Sequence, residues 1–360
     1  MVLDFAKEAI QNAELHSINF DELRAGKANI KVFGIGGAGC NAITWLFNKG
    51  ITGATIYGIN TDALHLSITK ADEKILIGKE LTRGLGCGGF PSKGREAAKE
   101  SLSELKKAAS AADMVFVLSG LGGGSGSGAS PVVAQLAKES GAVVIGVVTM
   151  PFECEKARLE KAEFALQELT EVVDTVIVID NNRLVDIAGN LPMEQAFAVA
   201  NELVSTMIKG IVETITLPSL INLDYADVSS IMKDGDVAVI GVGESDTTAR
   251  VDEAVRQALT HPLLDVDYKG ATGALIHITC GPDFKLEEFS GVGELVTENI
   301  SPDAQVIIGA RINKDFANRV RVITIMTGVR SPYILGKKLS REETGSSSSE
   351  MSDLGIEVFR

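Results

Sequence analysis

The run Gly120-Leu121-Gly122-Gly123-Gly124-Ser125-Gly126-Ser127-Gly128 follows one residue after the apolar stretch Met114–Leu118, and a helical pattern is expected to start at Pro131. Each glycine costs about 0.5–1 kcal/mol of backbone entropy relative to alanine, so such a run persists only where bare backbone is needed. Two more glycine stretches, Gly34–Gly39 (GIGGAG) and Gly84–Gly89 (GLGCGG), fall at the ends of predicted strands. In an open parallel sheet, ligands bind where strand C-termini open onto helix N-termini. Unpaired N–H groups and the helix dipole favour an anion there. A hydrogen bond to a charged partner is worth about 1.5–3 kcal/mol, so two or three amide–phosphate contacts offset the glycine cost.

The spacing Gly34-x-Gly36-x-x-Gly39 alone also fits a dinucleotide-binding oxidoreductase, and Asp62, just past the strand Thr55–Ile59, keeps that alternative open. No Walker GxxxxGK[ST] motif competes with the run at 120–128. A second cluster, Asn222-Leu223-Asp224-Tyr225-Ala226-Asp227, gathers carboxylates able to orient water. Either aspartate is equally suited to cap a helix starting near Val228.

Val- and Ile-rich runs at 30–34, 54–59, 114–118, 143–149 and 175–179 alternate with helical patterns, which predicts parallel strands joined by crossover helices. From 191 to 216, apolar residues cover most of a helix's circumference, as suits a long helix between two domains. Strands at 237–242, 274–279, 305–310 and 321–327 with intervening helices predict a smaller α+β domain. The expected division is an N-terminal extension 1–28, a nucleotide domain 29–190, a central helix 191–216, a C-terminal domain 217–330 and a tail 331–360. The Ser/Glu/Lys-rich stretch 337–353 cannot bury enough surface to order itself. The apolar end Leu354–Arg360 then reads as a docking peptide on a tether.

A net charge of −14 argues against nucleic acid or an anionic membrane as main partner. No apolar run reaches the roughly 18 residues of a membrane span, so a cytoplasmic protein without direct membrane insertion is expected. Cys40, Cys87, Cys154 and Cys280 lack metal-ligand spacing and read as reduced, buried hydrophobes. His65, His261 and His277 read as structural, Trp45 as core, and Lys79, Arg83 and Lys93 as a solvated face.

The ordered set GIGGAGCNA (34–42), GINTD (58–62), LTRGLGCGGFP (81–91), GLGGGSGSG (120–128) and INLDYADV (221–228) resembles the FtsZ family of tubulin-like cell-division GTPases, with the texture of an archaeal member. The resemblance implies a parallel Rossmann-like GTPase sheet, a long central helix and a smaller C-terminal α+β domain. It implies GTP or GDP contacts at Gly36, Gly37 and Asn41, with Asn60 nearby, and phosphates wrapped by Gly123, Gly124, Ser125, Gly126 and Ser127. Glu155 and Arg158 would approach the ribose; Asn181, Phe197 and Glu202 would meet guanine. Serines stand at 125 and 127 where the family usually has threonine, and the segment between Glu155 and Arg158 is one residue short.

The glycine loops supply donors but no base, so Mg²⁺ held mainly by phosphates and water is expected, with no protein metal site. A helix of about 20 residues spans about 30 Å, so Asp224 and Asp227 cannot reach phosphates bound by their own chain. In the family this loop enters the neighbour's site. Head-to-tail stacking then completes the GTPase and extends an open filament, Asp224 and Asp227 polarising water that Asn222 positions. The implied setting is the division site near mid-cell, with a membrane-tethering division protein gripping 354–360. A polymerising scaffold with little turnover is the alternative.

Overall fold

The computed structural model describes residues 28–329 except 218, 234, 261–267, 269 and 299. The expected leader in 1–27, His261 and the tail with its terminal peptide lie outside the described residues.

The strands are β1 (Ile30–Ile35), β2 (Ala54–Asn60), β3 (Glu73–Leu76), β4 (Met114–Gly120), β5 (Val143–Met150), β6 (Thr175–Asp180), β7 (Asp236–Ser245), β8 (Gly273–Cys280), β9 (Gln305–Ile312) and β10 (Val320–Thr327). The helices are α1 (Gly36–Lys49), α2 (Ala63–Ile68), α3 (Lys79–Thr82), α4 (Pro91–Glu100), α5 (Leu102–Ala109), α6 (Ser125–Glu139), α7 (Lys156–Val172), α8 (Asn181–Ala188), α9 (Met193–Thr216), α10 (Tyr225–Met232), α11 (Arg250–Leu259) and α12 (Leu286–Thr297).

One sheet runs in the order β3-β2-β1-β4-β5-β6-β7-β10-β8-β9. The first six strands are parallel. β1, β5 and β6 are almost wholly buried, as strands covered by helices on both faces must be. β7 joins β6 through two pairings only, Thr175 with Asp236 and Val176 with Val237. It then pairs antiparallel with β10 along eight residues. Beyond this seam β10 and β8 are antiparallel and β8 and β9 parallel.

α9 carries 24 residues, about 36 Å of helix. From Ala200 onward Glu202 is its one exposed residue, while Leu203, Val204, Met207, Ile208, Ile211 and Val212 pack with Ile43 and Leu46 of α1 and Ile323 and Ile325 of β10. A Cβ on Gly210 would lie 2.2 Å from Ile323 Cδ1, so this helix is seated tightly on the C-terminal sheet.

Several expectations change. The helix after β4 begins at Ser125, six residues early, with Pro131 inside it. Small residues there let the helix press onto neighbouring backbone, and that packing outweighs the proline's preference for a first turn. The charged stretch between β3 and β4 forms two helices, α4 and α5, broken at Ser101, whose Oγ accepts the Gly78 N–H at 3.2 Å. Trp45 is one-third exposed rather than core, and donates Nε1–H to Glu202 at 2.6 Å. Cys154 is exposed, unlike the three buried cysteines.

His277, buried on β8, has no hydrogen-bond partner for Nδ1 among the described residues. Burial, then the nearby Arg311 charge, lowers its pKa to about 4. The folded protein therefore keeps it neutral while the unfolded chain protonates it near 6.5. Its contribution is full above pH 6.5 and lost as the pH falls toward 4. Urea unfolding at pH 7.5 and 4.5 is expected to show His277→Leu escaping about 2–3 kcal/mol of the acid destabilisation that the parent chain suffers.

Candidate functional site

A cavity of about 780 Å³ opens where β4 ends, walled by the first turns of α1 and α6, the Pro151–Arg158 segment, Asn181, and one face of α9. α1 and α6 start against each other: a Cβ on Gly36, at φ +71°, would lie 2.8 Å from the Gly126 nitrogen. Neither helix has a side-chain cap or an acidic residue in its first turn. Two positive dipole ends with uncapped leading amides converge on one space, which is the construction an anion requires.

The glycines divide into two kinds. At Gly37 and Gly123, both cavity-lining, an added Cβ meets nothing within 4 Å; these leave room for a ligand. Gly126 and Gly128 are bare because the protein itself is close: their Cβ atoms would lie 2.5 Å from Gly120 O and 2.0 Å from Pro91 O. Gly124 packs on Cys87, with 2.6 Å between the two Cβ positions. The loop Gly84–Gly89 is therefore a buttress behind the third glycine loop and does not line the cavity.

Gly37, Asn41, Gly123, Gly124, Ser125, Gly126, Glu155, Arg158, Asn181 and Phe197 all line the cavity. Gly36, Asn60, Ser127 and Glu202 stand behind it. Asn60 is buried, its Oδ1 accepting the Thr61 and Asp62 N–H groups at 2.9 and 3.3 Å. Ser127, also buried, accepts the Gly122 N–H at 2.8 Å and so braces the loop from inside. Ser125 Oγ lies 2.7 Å from Thr61 Oγ1. Asp62 caps α2 by accepting the His65 N–H and does not line the cavity.

Among the described residues lining the cavity, Arg158 is the one cation and Glu155 the one carboxylate; they pair at 2.6 Å, three residues apart at the start of α7. The far end is aromatic, Phe152 meeting Phe197 edge-on with centroids 6.1 Å apart. Asn201 lines the cavity and Glu202 does not. Phe197 and Asn201 are four apart and share a helix face, whereas five residues turn Glu202 about 140° away. That periodicity is the signal that finds Asn201; Phe152 and Cys154, on a loop, leave none.

The acidic cluster is elsewhere. Asp224 Oδ1 accepts the Asp227 N–H at 2.9 Å and Asp227 Oδ2 accepts the Asp224 N–H at 3.1 Å, a reciprocal cap on α10. Asn222 and Asp224 are exposed and Asp227 is half-buried. Tyr225 Oη donates to the Asp113 carbonyl at 2.8 Å, immediately before β4. The cavity lies past the other end of β4, about 23 Å along the strand. The two regions lie at opposite ends of β4. Among the described residues, no group of three or more His, Cys, Asp or Glu stands ready to hold a metal ion.

Residues 29–189 match the Tubulin/FtsZ family GTPase domain, and residues 236–330 match the FtsZ family C-terminal domain. The chain belongs to the FtsZ family. It is 51% identical to Cell division protein FtsZ 2 of Methanocaldococcus jannaschii, covering 94% of this chain and 89% of that one. It is 52% identical to Cell division protein FtsZ 1 of Archaeoglobus fulgidus, over 87% and 85% of the two chains. An empty FtsZ dimer from M. jannaschii superposes with a TM-score of 0.80 at 50% identity, covering 88% of this chain and 92% of that one. A tubulin-like, filament-forming GTPase of cell division is thus the function, as the ordered motifs implied. Neither the oxidoreductase nor the polymerising scaffold with little turnover is favoured.

Proposed function

We propose that the cavity binds GTP or GDP and that hydrolysis needs the acidic turn of a second copy. The observation that carries this is the placement of Asp224, exposed, and Asp227, half-buried, at the opposite end of β4 from the cavity. Head-to-tail stacking brings one copy's acids to the next copy's phosphates and repeats indefinitely. Leu64, Leu85 and Phe90, exposed near the cavity edge, and Leu220 and Ile221, exposed beside the acids, are the apolar surface such stacking would cover.

Within the cavity, amides at Gly37 and at Gly123–Gly126 hold phosphates, Glu155 and Arg158 face the ribose, and Phe197 with Phe152 packs on the base. Asn201 and Asn181 read its edge, since an amide offers both donor and acceptor to guanine's O6 and N1–H. Asp224 and Asp227 orient the attacking water, and Asn222 helps place it. Mg²⁺, held through phosphate oxygens and water, supplies charge neutralisation at the phosphates. The protein works in the cytoplasm near mid-cell, and 354–360 docks on a membrane-tethering partner.

GTP turnover per chain, measured across a dilution series with light scattering, is expected to collapse below a threshold concentration together with the polymer. A flat turnover per chain on dilution overturns the shared site; absence of GDP binding overturns the cavity assignment.

A further inference from the structure

α1 and α9 supply facing walls of the cavity, Gly37, Asn41 and Ala42 on one side and Met193, Phe197, Ala200, Asn201 and Val204 on the other. Just behind the Asn201 wall, the two helices are tied by polar side chains. Glu202 Oε2 accepts Trp45 Nε1–H at 2.6 Å, and Oε1 accepts a short hydrogen bond from Lys49. Lys49 also donates to Thr206 Oγ1 at 2.5 Å, and Thr206 donates back to the Glu202 carbonyl at 2.8 Å. Burial works against charge on Glu202, but the bonds from Lys49 and Trp45 and the Lys49 charge outweigh it and hold the carboxyl below its ordinary range.

We infer that Glu202, with Trp45 and Lys49, is a positioning clasp for the nucleotide: it fixes the spacing of α1 and α9 and so the width of the slot that receives the base. This rests on the cavity being the guanine-nucleotide site. The clasp touches no ligand. It acts because Asn201 precedes Glu202 directly, and because Trp45 lies one turn beyond Asn41, so a shift of either anchor moves a wall. Lys49 and Thr206 extend the same network to a second cavity of about 260 Å³, between α9 and the C-terminal sheet, lined also by Glu213, His277, Arg311 and Arg321.

Trp45 is the sole tryptophan in the sequence, so its emission reports the clasp directly. GDP added to the nucleotide-free full-length chain is expected to shift that emission saturably, while ADP leaves it unchanged. Glu202→Ala is expected to weaken GDP binding about tenfold. Turnover at saturating GTP and saturating protein stays near the parent's, so KM moves and kcat does not. Glu202→Gln keeps an acceptor for Trp45 and restores part of the affinity. Trp45→Phe keeps an aromatic ring, loses the N–H, and weakens GDP binding less than Glu202→Ala. If all three variants bind GDP as the parent does and Trp45 emission ignores GDP, the clasp is only a helix-packing contact and the inference falls. If the parent binds no GDP at all, the site assignment falls instead. Should Glu202→Ala fail to fold, Glu202→Gln and Trp45→Phe carry the same comparison.

Discussion

Mixed in equal amounts, a Gly123→Asp chain and an Asp224→Asn chain are expected to hydrolyse GTP although neither does so alone. Gly123→Asp has space for its side chain, since nothing lies within 4 Å of a Cβ there, but it sets a negative charge where phosphates belong. Its acidic turn is untouched. Asp224→Asn keeps a carbonyl oxygen to accept the Asp227 N–H, and asparagine caps helices as well as aspartate does. Only the charge is removed, so turnover is expected to fall about 10²–10⁴-fold without loss of the fold. In a random mixed filament about one interface in four pairs an intact cavity with an intact acidic turn. About a quarter of the parent rate should return. A mixture that copolymerises, by sedimentation, yet stays inactive would show that one chain must hold both halves.

Gly128→Ala and Gly123→Ala are expected to fail in opposite ways. The first drives a methyl to within 2.0 Å of Pro91 O and 2.6 Å of Arg95 N, both backbone atoms of α4 that cannot swing aside. About 3 kcal/mol of stability is lost, with the melting temperature down by several degrees. The second meets open space and leaves the melting temperature of the nucleotide-free chain nearly unchanged, while GDP affinity drops because the methyl enters the phosphate path. Thermal melts with and without GDP distinguish them. Equal behaviour would mean that the division between packing glycines and ligand glycines is wrong.

That division was not legible in the sequence, where every glycine between 120 and 128 looks alike. What separates Gly128 from Gly123 is the approach of Pro91, some 37 residues earlier, and no local pattern encodes it. The same blindness placed the helix start at Pro131 rather than Ser125. The parallel half was readable because strands buried on both faces must be almost wholly apolar, as β5 is from Val143 to Val148. The β6–β7 seam was not, since two residue pairs leave no periodicity. Asn201 was missed by one position, although the helical period from Phe197 contained the answer. The double role open to Asp224 was visible from its place just before a predicted helix, and the structure shows its capping half outright.

The opposed starts of α1 and α6 carry a cost. Each helix beginning has the character of about half a positive charge, and the two abut with no acidic side chain in either first turn. On the proposed assignment a bound polyphosphate cancels that mutual repulsion, so the vacant chain is expected to be less durable than the loaded one, and exchange of nucleotide is expected to pass through that weakened form.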